Sequence, residues 1–399
     1  MSERNFPNKA MWTGDCLYIL RGMNSASIDL IYLDPPFNSN ADYAAPIGSQ
    51  AAGAAFTDTW TLTDVDVEWI NLIEARYPAL YRALLAATTP SDKSYLVYMA
   101  ARLLEMKRVL KPNGNVYLHC DQTMVHYLKV LMDAIFGRQN FRNNIIWSYR
   151  RWTGAARHFQ RMHDDILFYA FPDARFNMLS EPYSQKSKHK RARRSKVTEE
   201  GRLEQEYTDD DSRQQAMRDV WEISYLNSQA KERVGYPTQK PLALLDRIIR
   251  ASSNEGDVVL DPFCGCATTC VAADDLGRDW VGIDISPKAA ELVVQRIADR
   301  QGLFRDIAHR TDIPKRTDLG KLPPYNSPQN KQWLYGVQAG HCAGCGTHFE
   351  IRHLEVDHII SRAKGGTDHV ENLQLLCGNC NRVKGSRGME YLRMKLQLN

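Results

Sequence analysis

The chain has 399 residues, 43% hydrophobic and 25% charged, with a net charge of +4. That composition fits a globular protein of two or three domains and excludes a fibrous or low-complexity chain. No apolar run reaches membrane-spanning length, and residues 1–9 are polar with no signal-peptide core, so a cytoplasmic protein with no membrane partner is expected.

Nine cysteines include two close pairs near the C-terminus. An odd total in such a chain points to metal binding by the paired set rather than to a disulfide framework.

In chain order, Thr13-Gly14-Asp15 reads as a turn and Leu17 to Gly22 as a short helix that Asp15 is placed to cap. The apolar run Ile28-Asp29-Leu30-Ile31-Tyr32-Leu33 reads as a strand, and it ends unusually, at Asp34-Pro35-Pro36-Phe37-Asn38. Two prolines fix the backbone and remove two N–H donors, which leaves local carbonyls free to accept. With one carboxylate and one flat aromatic beside them, this is a site for gripping an amino group on an aromatic ring. Residues 39–92, rich in small residues around Ala44 to Phe56, read as an excursion positioned to act as a lid.

A helix over Ser94 to Leu110 is expected to stop at Lys111-Pro112-Asn113-Gly114, followed by a strand over Asn115 to Cys120. A helix over Met124 to Phe136 and strands over Asn144 to Tyr149 and Ile166 to Ala170 continue the alternation. The pattern predicts an α/β fold with a doubly wound, mostly parallel sheet.

Tyr149, Arg150, Arg151 and Trp152 then interleave aromatics with cations, and Gln185 to Lys196 is strongly basic before an acidic run through Asp209-Asp210-Asp211. A solvated charged insertion is the plain reading of such a run. Contact with DNA phosphates is the reading favoured for the region as a whole.

Order returns at Tyr236-Pro237-Thr238-Gln239-Lys240-Pro241, which opens a helix over Leu242 to Ser252. A strand over Val258 to Leu260 runs into Asp261-Pro262-Phe263-Cys264-Gly265-Cys266-Ala267, and a second helix follows. A strand over Trp280 to Ile283 ends at Asp284, and a helix runs from Pro287 to about Arg300. Strand, small-residue turn, helix and an acid ending the next strand form a nucleoside-binding pattern, though Cys266 and Ala267 stand where further glycines are expected. Residues 301–330 read as a linker.

Together, DPPFN, YPTQKP, DPFCGCATT and GIDIS closely resemble the β-class amino-methyltransferases of DNA, in their permuted order, over roughly residues 10–300. The resemblance implies a circularly permuted Rossmann-like domain that uses S-adenosylmethionine. Asp261, Phe263 and Gly265 would line the methionine and ribose part of the cofactor site, with Thr238, Gln239 and Lys240 nearby. Asp284 would take the ribose hydroxyls and Asp15 the adenine amino group.

Asp34 and the Pro35 carbonyl would accept the two hydrogens of a base amine, within a turn fixed by Pro35 and Pro36. Phe37 would stack on the base, and Asn38 would hold the loop or a base edge. The base must be flipped out of the duplex to reach them. Asp opening the acceptor motif favours adenine N6; cytosine N4 is the alternative.

Cys342-x2-Cys345 and Cys377-x2-Cys380 form a four-thiolate set suited to structural zinc. The sequence between and around them resembles the HNH nuclease family, with its small ββα-metal fold. That resemblance implies His358 as general base, Asp357 and Asn381 as ligands of Mg²⁺ or a similar ion, Asn372 as a brace, and Arg382 and Lys384 as phosphate contacts.

The expected organisation is an acceptor half (1–145), a target-recognition insertion (146–233), a cofactor half (234–300), a linker (301–330) and a zinc module (331–399). The expected function is site-specific DNA methylation within restriction-modification or phage biology, acting on double-stranded DNA, with a homodimer left open. An HNH endonuclease that uses the methyltransferase-like part as a sequence reader is the second class of reading. RNA or protein as substrate is the third.

Overall fold

The computed structural model describes residues 3–39, 42–45, 49–52, 55–58, 73, 77–150, 157–183, 191–197, 203–209, 214–227, 229–301, 307–320, 322–362 and 366–396. Its main body is a nine-stranded sheet. In chain order the strands are β1 (Ala10–Thr13), β2 (Ile28–Leu33), β3 (Leu110–Cys120), β4 (Phe141–Ser148), β5 (His163–Ala170), β6 (Val220–Glu222), β7 (Val258–Asp261), β8 (Asp279–Asp284) and β9 (Ala308–Arg310). In space they run β6-β4-β5-β3-β2-β7-β8-β1-β9. β5 is antiparallel to both its neighbours and the remaining pairings are parallel.

Helices cover both faces of this sheet. α1 (Cys16–Gly22), α2 (Pro78–Leu84), α3 (Pro90–Val109) and α4 (Val125–Met132) pack on one side. α5 (Leu242–Ser252), α6 (Thr268–Asp275) and α7 (Pro287–Gln301) pack on the other. β2 shows why its sequence is a nearly unbroken apolar run. Ile31 and Leu33 enter the first core, while Leu30 and Tyr32 enter the second. Among the described residues no helix is long and apolar enough to cross a membrane.

Two sequence expectations are corrected, and one strand is added that the sequence did not signal. The Lys111–Gly114 stop signal lies inside β3, where the pairing with β2 jumps from Ile28↔Leu110 to Leu30↔Asn115. The proline and glycine are absorbed by that irregularity, and Lys111 bonds Asp29 at 2.8 Å across it. The 301–330 stretch is not a free linker. It supplies β9, and Asp312 and Thr317 bond back to Trp12 and Asn24. The four-residue strand β1, too short to carry a periodic signal, completes the sheet between β8 and β9.

Of the basic insertion, residues 184–190 lie outside the described residues, as do Arg151 and Trp152. Arg191–Val197 pairs with Leu203–Asp209 so that Arg191, Arg194 and Lys196 stand opposite Asp209, Glu206 and Glu204. Much of the expected lid, including 59–72, is likewise outside the described residues.

The C-terminal module is a separate small core. β10 (Leu354–His358) and β11 (Leu373–Cys377) are antiparallel, packed with α8 (Pro328–Val337), α9 (Gly378–Lys384) and α10 (Met389–Leu396).

Candidate active site

β2 and β7 are hydrogen-bonded neighbours at the middle of the sheet, and from them the strand order runs outward in opposite directions. Their carboxyl ends therefore open onto the crevice where α/β sheets bind ligands. Asp34 follows β2 and Asp261 ends β7, which puts the acceptor motif and the cofactor motif at one point. One pocket is lined by Asp15, Asp34, Pro35, Pro36, Phe37, Thr238, Gln239, Lys240, Asp261, Phe263, Gly265 and Asp284. Asn38 is the one acceptor-motif residue that does not line it.

In the acceptor loop, Lys240 Nζ donates to Asp34 Oδ2 at 2.5 Å, while Asp34 Oδ1 is buried with no hydrogen-bond partner among the described residues. A buried carboxylate oxygen without a donor is open to an incoming donor group. Asn38 adopts a left-handed backbone (φ +58°), and its amide bonds Asp92 and Ser91, so it braces the loop against the start of α3. The backbone N–H groups of Phe37, Asn38 and Ser39 all donate to the Asp58 carboxylate at 3.1, 2.7 and 2.8 Å. Sequence reading missed Asp58, because nothing local ties it to a loop twenty residues away.

The cofactor-motif turn is held by its own carboxylates. Asp284 accepts from the N–H groups of Gly265 and Ser286, both at 2.8 Å. Asp261 accepts from Thr269 at 2.5 Å and from the Phe263 N–H at 3.1 Å. Burial pushes the Asp261 carboxyl up to about 7, and burial also raises that of Asp284.

Gly265 has φ +51°, and a Cβ there would stand 2.9 Å from the Tyr236 ring. Ala267, where a glycine was expected, also takes a left-handed conformation (φ +55°, ψ 42°) just before α6, so the turn keeps its shape despite the departure from pattern.

Asp15 is a helix cap that accepts from the Leu17 N–H at 2.9 Å and takes both 2.8 Å bonds of the Arg102 guanidinium. Its carboxylate is thus committed within the protein. Gln239 bonds the backbone of Val234 and Glu232 and shapes its own loop.

His119, at the end of β3, was also missed. It is fully buried, with Nδ1 2.9 Å from the Tyr32 hydroxyl and Nε2 3.1 Å from Asp164, and its ring lies against Phe37. A lone histidine in a strand gave no signal for it.

In the C-terminal module, one sulfur from each of Cys342, Cys345, Cys377 and Cys380 lies within 4.8 Å of the others, a cluster able to hold a metal ion. The N–H groups of Cys377 and Gly344 point at Cys342 Sγ, at 3.2 and 3.4 Å, as suits a thiolate. His358 and Asp357 end β10. His358 Nε2 is 2.8 Å from Asp368, and Asp357 is paired at 2.8 Å with the buried Lys384. Lys384 therefore works inside the module rather than on a phosphate, which corrects that expectation. Asn372 bonds Ile360 on both its amide and carbonyl sides and so braces the segment after His358. Asn381 donates to Glu355 at 2.5 Å.

The family profile of DNA methylases that act at N6 or N4 positions matches residues 28–295, and that of HNH endonucleases matches residues 342–387. The type II methyltransferase M.HpaI of Haemophilus parainfluenzae is 28% identical, over 73% of this chain and 74% of its own. The DNA adenine methyltransferase YhdJ of Escherichia coli K12 is 26% identical, over 72% and 82%. Among solved structures, TTHA0409 of Thermus thermophilus, described as a DNA modification methylase, is 20% identical over 76% of this chain and 99% of its own, with a TM-score of 0.42. The first match spans most of the chain and takes in both halves of the pocket. The chain belongs to the N6/N4 DNA methylase family and carries an HNH endonuclease domain at its C-terminal end.

Proposed function

We propose that this protein transfers a methyl group from S-adenosylmethionine to the N6 amine of adenine in double-stranded DNA. The observation that carries the reading is the juxtaposition of Asp34 and Asp261 at the ends of adjacent strands, in one pocket. When bound, the cofactor supplies an electrophilic methyl on a sulfonium centre. The pocket fits such a cation: Asp261 and Asp284 are carboxylates, and burial makes both costly to ionise without a positive partner.

The exocyclic amine of a base is a weak nucleophile because its lone pair is delocalised into the ring. Asp34 and the Pro35 carbonyl accept its two hydrogens, localise the lone pair and aim it. Phe37, fixed from below by His119, stacks on the flipped base. Much of the rate then comes from holding the two reactants in line. Adenine is preferred over cytosine because Asp opens the motif and because a relative 26% identical is named an adenine methyltransferase.

Asp34→Ala is expected to abolish transfer of labelled methyl to DNA while cofactor still binds, and nucleoside analysis of wild-type product is expected to show N6-methyladenine. N4-methylcytosine in that product would replace the adenine reading.

The C-terminal domain supports a second activity, DNA cleavage. Asp368 on Nε2 leaves His358 Nδ1 as the basic nitrogen for activating water. The hydrogen bonds of Asp357 and Asn381 run through Oδ2 and Nδ2, which leaves an Oδ1 on each as a hard donor for a divalent ion. The four cysteines would hold zinc as a structural ion. Mg²⁺-dependent nicking that disappears in His358→Ala is the expected result; unchanged nicking would refute the assignment.

A further inference from the structure

His119 is a fully buried histidine behind the acceptor carboxylate, and the bound-base chemistry described above uses only its ring face, against Phe37, and neither of its nitrogens. Its Nδ1 lies 4.0 Å from Asp34 Oδ1, the buried oxygen that has no hydrogen-bond partner among the described residues. Its Nε2 lies 3.1 Å from Asp164, whose other oxygen accepts from the Tyr149 hydroxyl at 3.1 Å. The imidazole is thus set between two carboxylates, one at the substrate and one behind it.

The surroundings define its resting state. Asp164 on Nε2 holds the proton there, so the neutral ring turns its Nδ1 lone pair toward the Tyr32 hydroxyl and Asp34. Burial holds the Tyr32 phenol protonated, well above its ordinary range. Burial also works against the charge of Asp164, yet the hydrogen bonds from His119 and Tyr149 and the nearby charge of Lys240 outweigh it and leave that carboxyl below its usual value. Lys240 reaches the same cluster through Asp34 Oδ2, whereas His163 is turned away toward Gln122.

We propose that His119 receives the proton that the base amine loses on methylation, passed to it through Asp34. As the new N–CH₃ bond forms, the S–CH₃ bond breaks and its electron pair stays on sulfur. The amine nitrogen, now cationic, gives one N–H proton to Asp34 Oδ1. That oxygen closes the 4.0 Å gap by a small carboxylate rotation and hands the proton to His119 Nδ1. The products are the methylated amine, the neutral thioether, an ionised Asp34 and an imidazolium held between Asp34 and Asp164. His119 touches neither substrate, so it is a positioning residue acting through Asp34, and the inference rests on the reading of Asp34 as amine acceptor.

The test is single-turnover methyl transfer to duplex DNA by the full chain, between about pH 5 and about pH 9. A neutral His119 is needed to accept, so the wild-type rate rises with pH to a plateau. His119→Gln is expected to lose that rising limb and fall about a hundredfold at the plateau, with cofactor affinity unchanged. Asp164→Asn is expected to keep the limb but shift it to lower pH, because the imidazolium loses a carboxylate.

A limb and plateau that survive in His119→Gln overturn the proposal. Should that variant fail to fold, an unmoved limb in Asp164→Asn overturns it instead. Asp34→Ala separates the two readings. Normal transfer by Asp34→Ala removes the acceptor assignment, whereas an inactive Asp34→Ala beside a normal His119→Gln removes only the proton route.

Discussion

Lys240 Nζ lies 2.5 Å from Asp34 Oδ2, although the two residues are 206 positions apart in the chain. The contact joins the motif that precedes the cofactor half to the carboxylate of the acceptor motif, and both side chains are largely buried, at 10% and 17% exposure. It leaves Asp34 with one oxygen neutralised and the other ready for an incoming donor.

Removing that ammonium strands a carboxylate in a poorly solvated place. Lys240→Met is expected to lower stability by about 1–3 kcal/mol in chemical denaturation and to slow methyl transfer at least tenfold, roughly the worth of one charged hydrogen bond. Lys240→Arg, which keeps the charge, should recover part of the rate. Equal losses in both variants would mean that shape rather than charge matters at this position.

Asp261 gives a pH dependence with a definite sign. Its carboxyl rises from 3.8 to about 7 in the folded chain, with burial as the main cause. The folded protein therefore binds this proton more tightly than the unfolded one, and stability falls as pH rises from about 4 to about 7. A cationic cofactor needs the ionised form, so its affinity should improve about tenfold between pH 6 and pH 8. Calorimetry in buffers of different ionisation enthalpy should show proton release on binding, and Asp261→Asn should flatten both trends.

Gly265→Ala asks an L-residue to hold φ +51° with its Cβ 2.9 Å from the Tyr236 ring. The backbone alone costs about 1–2 kcal/mol. Cofactor affinity is expected to weaken about tenfold, the equivalent of about 1.4 kcal/mol, as read by equilibrium binding. An unchanged affinity would show that this turn does not contact the cofactor.

Asp58 holds three successive N–H groups of the acceptor loop. Asp58→Ala leaves them without their acceptor, at about 1.5–3 kcal/mol for each charged bond and less than the sum for all three. Methyl transfer should fall while cofactor binding stays as in the wild type. A parallel loss of cofactor binding would place Asp58 in general stability rather than in loop geometry.

The four-sulfur cluster sits in the core of the C-terminal domain, with Cys342, Cys377 and Cys380 buried. Cys377→Ser is expected to abolish stoichiometric zinc by elemental analysis and to make this domain the first to unfold. Methyl transfer should stay within about twofold of wild type, as expected for independent sites in separate cores. Zinc retained at the full level would exclude these four as its ligands.

Much of this was legible in the sequence because the signals are local. An apolar run closed by Asp34-Pro35-Pro36-Phe37, a small-residue turn after Asp261, an acid at Asp284 and two Cys-x2-Cys pairs each declare themselves within a few residues. Their spacing was enough for a mostly parallel α/β sheet, a methyltransferase-like pocket and a metal-binding tail, and the sheet and the four-cysteine cluster bear those out. Local signals also misled: Pro112 and Gly114 read as a turn, yet sheet pairing on both sides drew them into β3. The 301–330 stretch has no periodicity of its own and gained a strand only because an edge beside β1 was open to pair with it.

What tertiary structure alone decided is which side chains meet. Lys240 on Asp34, Asp58 under the acceptor loop, and His119 between Asp34 and Asp164 all depend on the order of strands in the sheet. That order brings β2 beside β7 on one side and β3 on the other, and no short window of sequence encodes it. The sequence by itself determined the chemical groups at the Asp34-Pro35-Pro36-Phe37 turn. Packing decided that one oxygen of Asp34 is neutralised and the other left open, because burial removes the water that would otherwise satisfy both.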